Sequence, residues 1–462
     1  MPKQRRPRRL SRRDFVRLSA TSAAALALGQ HPLGTAFAAK PGPPTRYPLF
    51  IPPTVSHLGL NLNPAPAVAD LGGGRLSNVW AYNGTFPGPT ILSQSGDSVV
   101  IDLQNGLMDE TTIHWHGMMV PHLADGHPLQ AVSPGGGYSY QFEIQQRACL
   151  NWYHPHPHML TGEQVALGAA GVFIVRDAQE ASLGLPSGAY EVPLIIRDAK
   201  LNSSGNIVYV AQGGGYLGSV GLVNGTRDAK LDVDTAIYRF RVLNGANARI
   251  FGLALGNGAP LTLIGNDGGL LPAAVQVAQV DIAPSERVDL LVDLRQAQVG
   301  NRIMLRDLRA GWNLLELVVT RQVAPSGTLP TTLFPISPLT PGPTTRNFSF
   351  DGMSRINGQV FDMNRVDFQV PFGQVERWRF TTNGNAPHPV HVHGAFFQVQ
   401  SRVGGRGALF PWETGWKDTV LLEDGETVEV LIRFDHHLGL YLLHCHKLEH
   451  EDMGMMANFE VI

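Results

Sequence analysis

The 462-residue sequence predicts an all-β protein built from three consecutive β-sandwich units, and three observations carry that prediction. Its 51 glycines and 33 prolines demand frequent turns and leave little room for long helices. Between turn signals the text alternates apolar and polar residues over short runs, as in Asp97-Ser98-Val99-Val100-Ile101-Asp102-Leu103, the period-two pattern of a half-buried strand. A phrase also recurs. Asn83-Gly84 precedes Asn105-Gly106 by roughly two dozen residues, and Asn224-Gly225 stands in the same relation to Asn244-Gly245, as does Asn357-Gly358 to Asn383-Gly384. An alternating strand fills each interval, for example Ile237-Tyr238-Arg239-Phe240-Arg241-Val242-Leu243. Three copies of one sandwich unit account for the spacing.

Taken in order, residues 1–44 read as a targeting segment and linker. Arg5, Arg6, Arg8 and Arg9 are followed by Ser11-Arg12-Arg13-Asp14-Phe15, a short apolar run from Leu18 to Leu28, and the cleavage pattern Ala36-Phe37-Ala38. Basic, apolar and small-residue regions in that order make a secretory signal, and twin arginines after a serine resemble the Tat type. The Tat export machinery is therefore an expected partner, and the periplasm or the outside of the cell the expected location. The apolar run is shorter than the roughly 18 residues needed to span a bilayer. The first unit is placed at 45–180, the second at 181–325 and the third at 340–462, with the Pro-rich stretch Pro325–Pro343 as the second boundary.

Charged residues make up 16% of the chain and the net charge is near −2, so no nucleic-acid or acidic-surface partner is implied. The only cysteines are Cys149 and Cys445. No disulfide is expected if Cys445 binds a metal, and Cys149 reads as a small buried apolar residue.

The chemistry-bearing residues gather in four clusters: His114-Trp115-His116, His154-Pro155-His156, His388-Pro389-Val390-His391-Val392-His393, and His444-Cys445-His446 followed by His450 and Met455. On a strand, His444 and His446 project to one face and Cys445 to the other, so one short strand can serve two metal sites. One Cys thiolate, His ligands and a weak Met make a blue-copper ligand set. Ten histidines, one cysteine and one methionine, in this order and spacing, resemble the multicopper oxidases, the family of laccases, bacterial copper-efflux oxidases and spore-coat oxidases. The likeness runs from about residue 45 to the end.

That resemblance implies three cupredoxin-like Greek-key domains and four copper ions. It assigns His388, Cys445, His450 and Met455 to a type 1 copper that takes electrons from the donor. It assigns His114 and His391 to a type 2 copper, and His116, His154, His156, His393, His444 and His446 to a type 3 pair. The middle unit holds none of these ligands and reads as a spacer that lets the first and third units bring theirs together. Asp125 and Glu451 match acids of the bacterial members. They either deliver protons for oxygen reduction or orient ligand imidazoles. Trp416-Lys417-Asp418-Thr419-Val420 also resembles the family text and reads as a strand of the third unit. The histidines His57, His122, His127, His158, His436 and His437 read as surface or hydrogen-bonded residues, and Met118, Met119, Met453 and Met456 as packing.

The expected reaction is laccase-like: one-electron oxidations of phenols or aromatic amines coupled to four-electron reduction of O2 to water, in a monomer. An axial Met455 predicts a low to middling potential and easily oxidised donors. One departure bears on substrate. Copper-efflux oxidases carry acidic and Met ligands for a cuprous ion just before the third cluster, where this chain has Asn383-Gly384-Asn385-Ala386-Pro387. Cuprous or other metal-ion oxidation is thus the alternative. A copper nitrite reductase leaves the binuclear histidines unused, and an electron carrier or copper store leaves eight of the ten unexplained.

Overall fold

The computed structural model describes residues 45–211, 214–324, 327–382, 384 and 387–462. The basic, Ala-x-Ala region within residues 1–44 lies outside them, as do Pro325 and, in the segment before His388, Asn383, Asn385 and Ala386. Residues 45–462 form one compact unit.

Its strands sort into pairs of sheets that follow chain order. Between residues 54 and 176 lie a five-stranded sheet ending at His114–His116, a three-stranded sheet and the hairpin Pro64–Asp70 with Leu76–Tyr82. The strands from Glu191 to Arg321 make a seven-stranded and a six-stranded sheet, and those from Thr345 to Val461 make two five-stranded sheets. The protein is all-β with cupredoxin-like sheets, and its few helices are short, such as Thr161–Leu167 and Leu448–Asp452. No helix among the described residues is long and apolar enough to cross a membrane. The first strand, Tyr47–Pro48, joins the middle sheet by running parallel to Ala229–Asp234 instead of adding to the sheets that follow it in sequence.

The recurring phrase has a physical meaning in all its described copies. Asn83, Asn224 and Asn357 sit at φ 52°, 47° and 52°, and each following glycine at 73° or 74°. Two successive left-handed residues are what a two-residue hairpin turn requires, and Asn-Gly adopts them at least cost. The second members differ among themselves: Gly384 is left-handed at φ 75°, whereas Gly106 and Gly245 are not, and at these two the asparagine side chain acts as a staple. Asn105 Nδ2 donates to the carbonyls of Asp109 and Val132 while its Oδ1 accepts the Leu107 amide. Asn244 repeats the pattern with Arg249, Ile282 and Ala246. The repeat is thus one of hydrogen-bond logic as well as of letters.

Each pair of sheets encloses its own apolar core. Trp115, Tyr140, Phe142 and Phe173 fill the first, Phe240, Leu263 and Leu290 the second, and Trp378, Phe380, Phe434 and Phe459 the third. Where the first part of the chain hands over to the middle, Arg239 and Arg241 are buried against Glu180, Glu191 and Asp289.

Candidate metal centre

Strand periodicity places the histidines. Along His114–His116, Trp115 turns into the first core against Tyr140 and Phe142, which sends both histidines to the opposite face. The neighbouring strand Cys149–His154 pairs antiparallel, with His154 across from His114 and Trp152 across from His116. In the third part of the chain, His388–Val392 pairs with Gly439–Cys445, so that His391 lies opposite His444 and Val390 opposite Cys445. The same alternation that directs His444 away from Cys445 lets this strand face two groups.

Eight histidines meet where the first and third sheets abut. His114 stacks on His393 at 3.9 Å between centroids and His116 on His391 at 3.7 Å, which crosses the two halves of the ligand set. His393 Nε2 and His156 Nε2 lie 3.0 and 3.4 Å from His444 Nε2. His446 sits with its ring 4.9 Å from that of His116 and 5.2 Å from that of His154. Trp152 packs 4.1 Å from His154 and walls the group on that side.

The second group is smaller. His388 Nδ1 and His450 Nδ1 lie 3.4 and 3.7 Å from Cys445 Sγ and 3.2 Å from each other, three ligand atoms converging on one point. Met455 is fully buried in the same core, its carbonyl accepting the Cys445 amide and its own amide donating to His450. The Lys447 amide donates to Sγ at 3.4 Å. Both cysteines are free thiols. Cys149 is buried beside Gln146 and Asn151, within hydrogen-bond distance of both.

None of the ten histidines is more than 1% exposed. Burial pushes His388 down to about 4, His444 to about 3 and His450 to about 2, while His116, His154, His156, His391, His393 and His446 are also lowered, by burial first and by neighbouring imidazoles second. These are neutral imidazoles, the form that ligates metal. The same burial pushes the Cys445 thiol up to about 12. His114 Nε2, His154 Nε2, His391 Nε2 and His446 Nε2 have no hydrogen-bond partner. Leaving so many buried polar nitrogens unpaired costs free energy, and a donor set of imidazoles and one thiolate is what copper satisfies. The residues fit the metal.

Carboxylates surround the group. Asp125 Oδ2 accepts from His393 Nδ1 at 2.7 Å, and its backbone carbonyl takes His114 Nδ1 at the same distance. Glu451 lies 3.5 Å from His156 Nδ1 and 3.3 Å from His444 Nδ1, and burial drives its pKa well above the ordinary carboxylate value. Its short helix is locked in place: Asp452 accepts the Thr161 and Gly162 amides and Glu449 accepts from Asn247.

A further carboxylate, Asp418, was read from sequence only as part of a strand. The strand begins one residue later, at Thr419, and Asp418 is 3.2 Å from His116 Nε2 while its carbonyl accepts from His391 Nδ1. Arg287 of the middle sheets holds this carboxylate with two guanidinium nitrogens and also donates to the Leu150 carbonyl. Lys417 turns the other way, to Asp267 and Glu286. The middle unit therefore reaches the site through charged residues, which a search for histidines does not find.

The remaining histidines join none of the metal-capable groups among the described residues. His57 pairs with Ser93, His127 with Asn458 and His436 with Asp435. Met118 and Met456 are buried, whereas Met453, expected to pack, is 41% exposed.

Residues 67–180 and 335–462 each match a multicopper oxidase family profile. The chain is similar to multicopper oxidase mco of Staphylococcus epidermidis, at 34% identity over 84% of this chain and 85% of the relative. It is also similar to the cell division protein FtsP of Dickeya dadantii, at 34% identity over 97% and 98% of the two lengths. Among solved structures, the laccase from Pediococcus acidilactici superposes with a TM-score of 0.85 at 33% identity, covering 91% of this chain and 94% of that one.

Proposed function

Because the chain belongs to the multicopper oxidase family, we propose that it is a laccase-like oxidase. In this reading it couples one-electron oxidations of small phenols or aromatic amines to four-electron reduction of O2 to water. The observation that supports this most is the strand end His444-Cys445-His446, whose alternate side chains face a Cys-His-His group on one side and an eight-histidine group on the other. Neither an electron carrier nor a copper store needs the second group.

In this reading four coppers are held as follows. His388, Cys445, His450 and Met455 hold the type 1 ion, His114 and His391 the type 2 ion, and His116, His154 and His446 with His156, His393 and His444 the type 3 pair. The copper ions supply the one-electron storage that four-electron oxygen reduction demands. The chain supplies the rest. Cys445 is bonded directly to His444 and His446, a covalent path between the two groups, and the Lys447 amide fixes the sulfur and tunes its electron density. Asp125 orients His114 and His393 through Nδ1. Glu451, whose pKa burial raises well above the ordinary carboxylate value, lies 3.3 Å from His444 Nδ1 and is the proton donor of this reading. Trp152 and the covering sheets exclude bulk water. The three sandwich units at 45–180, 181–325 and 340–462, export through the Tat route and a monomeric state belong to the same proposal.

Cuprous-ion oxidation is the second reading, and one observation favours it. Met453 and Met159 are 41% and 65% exposed, and the residues beside them, Gly454 and His158, both contact Phe361 next to the type 1 ligands. Thioethers select Cu(I). Oxygen uptake with 2,6-dimethoxyphenol and with cuprous ion, measured for the native chain and Met159→Leu/Met453→Leu, separates the two. The laccase reading expects brisk phenol oxidation that the double substitution leaves within about twofold. Uptake with cuprous ion alone, lost in that variant, would replace it.

A further inference from the structure

Beside the eight-histidine group stands a cavity of about 130 Å3 whose walls combine aromatic surface with charged side chains. Met119, Phe396 and Trp416 form its apolar side and Arg147, Arg433 and Asp435 its polar side. Met119 and Phe396 also line a cleft of about 10 Å3, wide enough for one water, that reaches His114, His391 and His393. The cavity and the cleft therefore share a wall.

The cations are not equivalent. Arg433 is taken by Asp435 at 2.6 Å, and Asp435 also meets His436 Nδ1 at 2.9 Å, so that carboxylate is spent. Arg147 lies flat against Phe334, its guanidinium carbon 3.6 Å from the ring centroid, and Nη2 donates to the Leu270 carbonyl. Its Nη1 is buried without a hydrogen-bond partner. Burial pulls the group down to about 10, which leaves it charged at pH 7. A guanidinium that lines an aromatic cavity and has no carboxylate in contact among the described residues favours an anion there. The aromatic walls set the rest of the ligand. A bare inorganic anion would satisfy the arginine but leave Phe396 and Trp416 unfilled, whereas one aromatic ring matches both their chemistry and the volume.

We propose that this cavity is a binding site for a monocyclic aromatic carboxylate, with the carboxylate on Arg147 and the ring against Phe396 and Trp416, beside the cleft toward His114 and His391. The site lies where three pairs of sheets meet: Arg147 comes from the first, Trp416 from the third, and the Leu270 carbonyl that fixes the arginine from the middle. Binding here needs neither copper nor turnover and does not rest on the oxidase reading.

Benzoate is the probe, titrated by isothermal calorimetry into the full chain, both copper-free and copper-loaded, with formate as the ring-free control. One saturable site is expected in both forms, at least tenfold weaker for formate, at least tenfold weaker in Arg147→Gln and several-fold weaker in Trp416→Leu. The variants' fold is checked by thermal unfolding, and if Arg147→Gln fails to fold, Trp416→Leu decides. Absence of saturable benzoate binding to the copper-free chain overturns the proposal. So does binding confined to the copper-loaded form and unchanged in the variants, which would mark benzoate as a direct ligand of the metal. Equal affinity for formate would reduce the site to an unspecific cation and overturn it as well.

Discussion

Asp418 and Glu451 are both buried carboxylates beside ligand imidazoles, and the chain treats them in opposite ways. Asp418 faces Arg287 and Thr419, so the guanidinium opposes the upward push that burial gives its pKa, and it holds His116 and His391. Glu451 faces no arginine or lysine, and burial pushes its pKa well above the ordinary carboxylate value. Glu451→Gln keeps the shape but cannot release a proton. It is expected to slow oxygen reduction by about 10²-fold and to change the pH profile of the rate while leaving copper content intact. Asp418→Asn takes from buried Arg287 its nearest carboxylate and leaves it only Asp267, at 3.7 Å, as a charged partner. A loss of about 3–5 kcal/mol in stability is expected, read as a lower unfolding temperature, together with weakened copper at His116 and His391 read from metal content. Glu451 could be found in the sequence because it adjoins His450. Asp418 could not, since its meaning comes from Arg287, 131 residues away, and only the fold brings the two together.

The elements that carry the site are short, and local chemistry fixes them. The strand Gly439–Cys445, the helix Leu448–Asp452 and the link between them place the thiol, three histidines and Glu451 within eight residues of chain, and Asp452 pins that helix to the start of Thr161–Leu167. Alternation along the strand was legible from the letters alone, because period two follows from strand geometry. The Asn-Gly repeats were legible only in part: the hairpin turns at Asn83, Asn224 and Asn357 follow from known turn preference, but the staples at Asn105 and Asn244 depend on carbonyls that later strands supply. Asn224→Gly keeps the left-handed backbone but removes two hydrogen bonds of a buried side chain, from the Ile195 amide and to the Pro193 carbonyl, and is expected to cost about 1–2 kcal/mol. Asn244→Ala removes three hydrogen bonds at a buried loop and is expected to cost about 2–3 kcal/mol. Denaturant unfolding of both variants checks the contrast.

At the scale of the molecule, the middle sheets are more than a spacer. Asp267, Glu286 and Arg287 tie Lys417 and Asp418 of the third part to Leu150 of the first, so the two halves of the eight-histidine group are held from a common base. The order and count of the histidines showed in advance that the halves must meet. How they are held did not show, because buried ion pairs have no spacing signature in sequence. The assembled imidazoles also set a pH limit. In the unfolded chain they titrate near 6.5, whereas in the folded chain His388, His444 and His450 do so at about 4, 3 and 2. Below pH 6.5 the unfolded state therefore takes up protons that the folded state refuses, and stability falls as pH falls. Thermal unfolding of the copper-free chain from pH 8 to pH 5 is expected to show this loss beginning near pH 6.5, and copper loading to raise the unfolding temperature without removing the slope, because the folded imidazoles are already neutral.

The central claim is that the thiol group and the eight-histidine group work as one four-electron machine joined by Cys445. The measurement that tests it most directly is the stoichiometry of oxygen uptake by the copper-loaded protein with 2,6-dimethoxyphenol, with peroxide assayed in the same cell, for the native chain and Cys445→Ser. The account predicts four electrons drawn from donor per O2 consumed and no peroxide, with uptake abolished in the variant although its eight-histidine group still holds copper. Two electrons per O2 with peroxide released, or uptake that survives the loss of the thiolate, would contradict it.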